Sequence, residues 1–303
     1  MPPPPPLPIT LIVATTPQNA TSSAPSRLGI GLNGTLPWPR IKTDMSFFAR
    51  VTSRPRARIN TPGSGSGSGG NGGVKTNAII MGRKTYESVP QRLRPLGKRV
   101  NVVVSRDNDG KSVGGMVRGE LKVKRERERE REVAATKAGS TTPTGGSTAT
   151  GPVEEGQTDA FVSSSLEGAL STLDRAGQRG EVGGVFVIGG AEIYAASLRL
   201  RGGDGVEFGG SSTSTITTTS SSSDSSGEKR TVRIVMTDVE RVDGGVFECD
   251  TFFPVDGEGL KGEGWRRVSA AEVTEWVGEE VSGEWMEEGD VRVRMVGYER
   301  VDL

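Results

Sequence analysis

The sequence predicts an α/β protein: a largely parallel sheet with helices on both faces and an antiparallel edge. Three observations lead there. Continuous apolar runs of strand length alternate along the chain with segments of helical spacing. Paired or single glycines stand where several of those runs end. Two strand-like segments close the chain with no helix expected between them.

The elements follow in order. ITLIVAT (9 to 15) reads as a buried strand, and RIKTDMSFFARV (40 to 51) has helical spacing. NAIIMG (77 to 82) is a strand that runs into a short helical piece, RKTYES. RVNVVVS (99 to 105) is the next strand, and SLEGALSTLDRAG (165 to 177) a helix with Ser164 or Ser165 as its N-cap. GGVFVIGG (183 to 190) is a strand ending in two glycines, followed by the helix AEIYAASL. RTVRIVMTDV (230 to 239) is a strand, and WRRVSAAEV (265 to 273) and VRVRMVGYERV (291 to 301) form the terminal pair.

Four blocks interrupt this order, near 16–27, 54–73, 107–157 and 201–227. Gly, Ser, Thr and mixed charge dominate them, so they bury too little apolar surface to offset the entropy of ordering. Without them and the proline-rich start, a polyproline II tail, roughly 180 to 190 residues remain, the size of one domain. The expectation is a single domain over 1–303 with its foldable core from about 9 to 303. In the run KVKRERERERE (122 to 132), Arg/Glu alternation sets opposite charges at i,i+3 but like charges at i,i+4. Helical support cancels, and a solvated insertion is expected.

Composition narrows the chemistry. The 303 residues carry 38 basic and 38 acidic side chains, no histidine and one cysteine. Balanced charge argues against a nucleic-acid or anionic-membrane binder. Lone Cys249 makes neither an internal disulfide nor a Cys-rich zinc site, so no metal centre is expected. Without histidine, the usual triads are excluded, and proton chemistry near neutral pH falls to carboxylates, Lys, Tyr, Cys or water. No apolar run is long enough to span a membrane and no secretory leader is visible, so a cytoplasmic protein is expected.

The stretch GIGLNGTLPWP (29 to 39) contains a literal G-x-G-x-x-G. A dinucleotide fingerprint places those glycines in a tight strand-to-helix turn. Here a dozen or so residues separate the preceding strand from Gly29, and Pro37 and Pro39 follow, so neither flank fits. The stretch reads instead as a loop at the carboxyl end of the first strand, where ligands bind in open α/β sheets. In the next helix Ile41, Asp44, Phe48 and Val51 lie at i, i+3, i+7 and i+10, which puts Asp44 in the apolar stripe. Asp44 either complements the helix dipole or hydrogen-bonds a ligand in a cleft.

Three turns suit phosphate. GRKT (82 to 85) sets Arg83, Lys84 and Thr85 at a helix start, SRD (105 to 107) follows the next strand, and IGGAEIY (188 to 194) is a strand–Gly-Gly–helix turn. Together they suggest a dinucleotide with an extra phosphate, NADPH rather than NADH.

LIVA (11 to 14), GIGLNGTLPWP, Asp44 with Phe48, IIMGRKTYESVP (79 to 90), RPLGKRVNVVVSR (94 to 106), VFVIGGAEIY (185 to 194), VMTDV (235 to 239) and DTFFP (250 to 254) occur in this order. As a set the chain resembles the dihydrofolate reductases, in particular fungal ones with low-complexity insertions. The resemblance implies an eight-stranded sheet and NADPH-dependent reduction of 7,8-dihydrofolate to tetrahydrofolate, which feeds one-carbon metabolism and thymidylate and purine synthesis. It implies that Asp44 binds the pterin and, through ordered water, assists protonation of N5, with Trp38 holding that water and Thr237 hydrogen-bonding the acid. Val13, Ala14, Leu36, Met45, Phe48, Leu96, Ile188 and Tyr194 would line the substrate site, with Arg99 on the glutamate carboxylate.

For the cofactor the resemblance implies Ala14, the loop Gly29, Ile30, Gly31, Leu32, Asn33, Gly34 and Thr35, and Gly82, Arg83, Lys84 and Thr85. It adds Ser105, Arg106 and Asp107, and the turn Ile188, Gly189, Gly190, Ala191, Glu192, Ile193 and Tyr194. It also implies a monomer that binds folate and antifolates such as methotrexate, with no nucleic-acid or membrane partner. Two rivals stand beside it: a pyrimidine reductase of the same fold, and a non-catalytic interaction protein on a decayed reductase.

Overall fold

The computed structural model describes residues 5–18, 26–55, 76–107, 112–138, 157–200, 229–262 and 264–301. The start of the proline tail and most of the four insertion blocks lie outside these residues. The strands are Ile9–Gln18 (β1), Arg27–Gly31 (β2), Thr76–Gly82 (β3), Arg99–Val104 (β4), Asp159–Ser163 (β5) and Val182–Val187 (β6). Val232–Arg241 (β7), Thr251–Phe252 (β8), Trp265–Val268 (β9), Met286–Glu288 (β10) and Val291–Arg300 (β11) complete them. The helices are Lys42–Ser53 (α1), Arg83–Ser88 (α2), Val113–Ala138 (α3), Leu166–Gln178 (α4), Ala191–Arg199 (α5) and Ala270–Val277 (α6).

The main sheet runs β10-β11-β7-β1-β6-β3-β4-β5. From β7 to β5 every neighbouring pair is parallel, while β11 is antiparallel to β7 and β10 to β11. The expected eight-stranded, mostly parallel sheet with an antiparallel edge is therefore present along this path. Three short strands, β2, β8 and β9, attach to it among the described residues.

Strand alternation divides the core in two. Ile9, Leu11, Val13, Ala78, Ile80, Ile234 and Met236 point to the face covered by α4 and α5, where Leu166, Leu170, Leu173 and Tyr194 pack. Ile12, Ile79, Met81 and Val235 point to the other, against Phe47 and Val51 of α1, Tyr86 of α2, Val113, Val117 and Leu121 of α3, and Val273 and Val277 of α6. Both faces are covered, which is why these strands read as unbroken apolar runs.

Four expectations change. The glycine loop after β1 begins as a strand: β2 pairs antiparallel with the end of β1, itself longer than expected, and with β8. Gly29 lets those strands approach, since a Cβ there would lie 2.2 Å from Cys249 Sγ. The real turn is Leu32–Thr35, closed by reciprocal backbone bonds of 2.9 and 3.0 Å with Asn33 and Gly34 at positive φ. Within the block 107–157, residues 113–138 form α3, because Val113, Val117 and Leu121, at i, i+4 and i+8, bury one edge of the helix before the Arg/Glu run begins. Strand β5, which had no counterpart in the expected order, begins just past the end of this block. The segment 265–273 is a strand only to Val268, where Ser269 and Glu272 form a capping box and start α6. In α1 the fully buried phenylalanine is Phe47, while Phe48 is half-buried. Of the two serines available to cap α4, Ser165 does so, accepting from Gly168 N–H at 3.0 Å.

Candidate active site

Because β7, β1, β6, β3 and β4 run parallel, their carboxyl ends lie along one edge of the sheet. Register sets Ala14 beside Thr237, and the ends of β6, β3 and β4 bring Ile188, Gly82 and Ser105 to the same edge. Ligands bind at such an edge because strand ends and helix starts converge there.

Asp44 stands in the first turn of α1, half-buried beside this edge. Burial is the chief cause that raises its pKa above the ordinary carboxylate range. The buried Thr237 hydroxyl opposes the shift by hydrogen bonding, and the charge of Glu288 adds to it. Tyr194 on α5 faces the same carboxylate, and its phenol is held neutral to high pH, first by burial and then by that charge. The phenol donates to the Ile12 carbonyl at 2.6 Å.

Two helix starts meet nearby. Gly82 and Gly190 are the N-cap residues of α2 and α5, and neither helix has a side-chain cap. Gly82 N–H donates to the Gly189 carbonyl at 2.7 Å, which ties the two turns together. Gly189 has φ 115°, a conformation reserved for glycine, and joins Gly190 through a cis peptide bond. A Cβ at Gly190 would sit 3.3 Å from Thr85 Oγ1, and one at Gly82 3.2 Å from Ile193 Cγ1. Two uncapped helix starts flanked by glycine form a cradle suited to a diphosphate. Arg83 and Lys84 are exposed at the start of α2, with Arg83 3.5 Å from Glu87. Beyond β4, Ser105 is buried and donates its N–H to Ser163, while Arg106 and Asp107 are exposed.

A second group lies at the other end of α1. Arg99 is buried at the start of β4; its guanidinium donates to the Gly97 carbonyl at 2.8 Å and to the Thr52 hydroxyl. It stands 6.0 Å from the Phe48 ring centroid. Burial pulls its pKa down to about 10, so it remains a cation at neutral pH. Leu96 is partly buried and is fixed by the Asn101 side chain, which accepts from Leu96 N–H and donates to its carbonyl, each at 2.9 Å.

The remaining expected residues are less concentrated. Trp38 is buried in a side cluster with Ile41, Val239, Phe247, Val291 and Val293, edge-on to Phe247. Leu36 and Met45 are exposed, at 48% and 41%. Val13 is buried under α5, whereas Ile188 is only partly buried. Gly29 and Ile30 lie in β2, and the turn that follows is pinned by Asn33 N–H donating to Asp250 at 2.7 Å. The sequence reading gave no role to Asp250, Thr52 or Glu288. Only the motif around Asp250 offered a signal, because these contacts join residues far apart in the chain.

The chain is similar to several known proteins. A family model described as dihydrofolate reductase matches residues 74–146. The dihydrofolate reductase of Cryptococcus neoformans is 30% identical over 284 residues, 93% of this chain and 90% of that protein. That of Candida albicans is 24% identical over 265 residues, 87% of this chain and 86% of its own. A solved dihydrofolate reductase structure from Schistosoma mansoni aligns over 97% of this chain and 99% of its own, at 21% identity and a TM-score of 0.49. On the breadth of the Cryptococcus match, this chain belongs to the dihydrofolate reductase family of oxidoreductases.

Proposed function

We propose that the chain reduces 7,8-dihydrofolate to 5,6,7,8-tetrahydrofolate with NADPH, supplying one-carbon metabolism. The observation that supports this best is the Asp44 carboxylate, its pKa raised by burial, facing the parallel sheet edge beside Thr237 and Tyr194. In the absence of histidine, a carboxyl at the sheet edge whose pKa is raised by burial is suited to handling a proton.

Asp44 accepts from the pterin 2-amino group and N3, and through ordered water favours protonation at N5. Thr237 orients the carboxylate, and Trp38 helps to hold the water. Val13, Ala14, Leu36, Met45, Phe48, Leu96 and Tyr194 bound the substrate, and Ile188 offers its carbonyl to the pterin edge. Arg99 takes the glutamate carboxylate by a planar fork that Lys cannot reproduce. When bound, the reduced nicotinamide supplies the hydride for C6. The glycine-flanked helix starts at Gly82 and Gly190 suit its diphosphate, with Ala14, the strand and turn Gly29–Thr35, and Ala191, Glu192 and Ile193 beside them. Arg83, Lys84, Thr85, Ser105 and Arg106 take the side of the extra phosphate, with Asp107 beside them on the cofactor. A monomer in the cytoplasm completes the reading; no described helix is long and apolar enough to cross a membrane.

The test is dihydrofolate-dependent NADPH consumption by the wild type and by Asp44→Asn. The variant should bind NADPH normally and lose turnover by about 100-fold or more at neutral pH. Near-normal turnover by the variant overturns the role of Asp44. A titration with methotrexate separates the working enzyme from a decayed reductase, whose pocket should not bind it tightly.

A further inference from the structure

Helix α1, which carries Asp44, has no cap of its own. Ile41 stands at its N-cap and offers no side-chain hydrogen bond, so the first N–H groups of the helix need an acceptor from elsewhere. The acceptor comes from the far end of the chain. Glu288, the last residue of β10, receives Lys42 N–H at 2.6 Å on one carboxylate oxygen. The other oxygen receives Thr43 N–H at 3.0 Å and the Thr43 hydroxyl at 2.7 Å. These three contacts hold the Glu288 carboxyl below its ordinary range, so it is ionised at neutral pH.

The scaffold beneath this grip is continuous. Ile41 and Trp38, at the entrance to α1, pack in one cluster with Val291 and Val293 of β11, the strand paired with β10. The β10–β11 hairpin and the first turn of α1 thus form one packed unit, and Asp44 belongs to that turn. Two carboxylates flank a single helical turn: Glu288 caps it from outside, and Asp44 turns to the sheet edge. The groups that act on Asp44 are Glu288 from β10 and the Thr237 hydroxyl from β7, with Tyr194 of α5 facing it; Lys42 of α1 acts on Glu288.

We propose that Glu288 is a positioning residue for the reactive acid: it grips the first turn of α1 from outside, fixes the turn that presents Asp44, and acts on that carboxylate across the turn. This rests on Asp44 being the acid of the reaction. A cap that served only the helix would stabilise the fold and leave the titration of Asp44 unchanged. A cap that also acts on the acid must move that titration when its charge is removed. The direction is fixed: a neighbouring negative charge disfavours ionisation, so its loss lets Asp44 ionise at lower pH.

Two substitutions remove the charge equally and the grip to different degrees. Glu288→Gln keeps an acceptor oxygen at the helix start and removes the charge, while Glu288→Ala removes both. In the full chain, the Asp44 carboxyl carbon is followed by 13C NMR over a pH titration, its signal assigned by loss in Asp44→Asn. The pH dependence of dihydrofolate reduction is measured on the same proteins. In Glu288→Gln, the Asp44 midpoint and the descending limb of the rate profile should both move to lower pH. In Glu288→Ala, the low-pH plateau should also fall several-fold, and by more than in the Gln variant, because the turn is no longer held. An Asp44 midpoint unmoved in Glu288→Gln overturns the proposal, whatever happens to stability. If Glu288→Ala does not fold, the Gln variant decides alone. Retained turnover in Asp44→Asn would defeat the functional reading instead, and the NMR titration would still report whether Glu288 acts on Asp44.

Discussion

The phenol of Tyr194 donates to the main-chain carbonyl of Ile12 at 2.6 Å, pinning the helix after the Gly189–Gly190 turn to the first strand. The ring also sits edge-on to Phe253, with centroids 5.3 Å apart. Both partners are buried, so Tyr194→Phe strands the Ile12 carbonyl away from water. Unfolding in urea should show a loss of about 1–3 kcal/mol. A variant as stable as the wild type would mean that the carbonyl finds another donor.

Arg99 makes a prediction of a different kind. Its guanidinium is braced by Gly97 and Thr52 and faced by Phe48, a setting for a planar cation. Arg99→Lys should raise KM for dihydrofolate about tenfold and change kcat little, because it loses a forked contact remote from the reacting bond. A dihydropterin lacking the glutamate tail should respond equally to both proteins. The pH dependence has a definite sign. The group is charged below its pKa of about 10, so affinity for the glutamate tail should be lost as pH rises through that value. Equal tail discrimination by the two proteins would remove Arg99 from the carboxylate subsite.

How far the sequence carried the fold depended on whether the determinants were local. The parallel strands were legible because burial on both faces makes them unbroken apolar runs, as in Ile79, Ile80 and Met81. Asp44 stood out because an acid in an apolar stripe violates a local rule. Strand β2 was hidden because Gly29 and Gly31 read as turn residues, and only pairing with β1 and β8 makes them a strand. The start of α6 could have been found from Ser269 and Glu272, whose spacing is a local signal. The contact of Glu288 with α1 had no such signal, since 246 residues separate it from Lys42.

Helix α3 shows the same limit and can be tested. The Arg/Glu run gives it little intrinsic support, so its stability must come from Val113, Val117 and Leu121 and from side chains that reach the body of the fold. Tyr86 donates to Glu120 at 2.6 Å, and Thr158 donates to Glu128 at 2.8 Å while accepting from Lys98 N–H at 2.9 Å. Val117 is fully buried, and Val117→Ala should destabilise the whole domain by about 1–3 kcal/mol in a single urea transition. An unchanged midpoint would show that the helix unfolds independently of the sheet.

The burial that suits Asp44 to its proposed role should reduce stability. Its carboxyl has a raised pKa in the folded protein, chiefly through burial, against an ordinary value of about 4 in the unfolded chain. Between those two values the native state holds a proton that the unfolded state releases, so stability declines as pH rises through this window. The contribution of Asp44 is therefore most favourable below the unfolded value and is lost once pH passes the folded one. Asp44→Asn keeps a carbonyl that can accept from the Thr237 hydroxyl and removes the charge that burial disfavours. The variant should be more stable than the wild type at neutral pH, with the gap narrowing as pH falls towards about 4. Urea midpoints of the two proteins across this range provide the measurement. Parallel curves would mean that Asp44 ionises in the fold as it does in water, and a carboxylate in that condition could not serve as the proton-holding acid of the site.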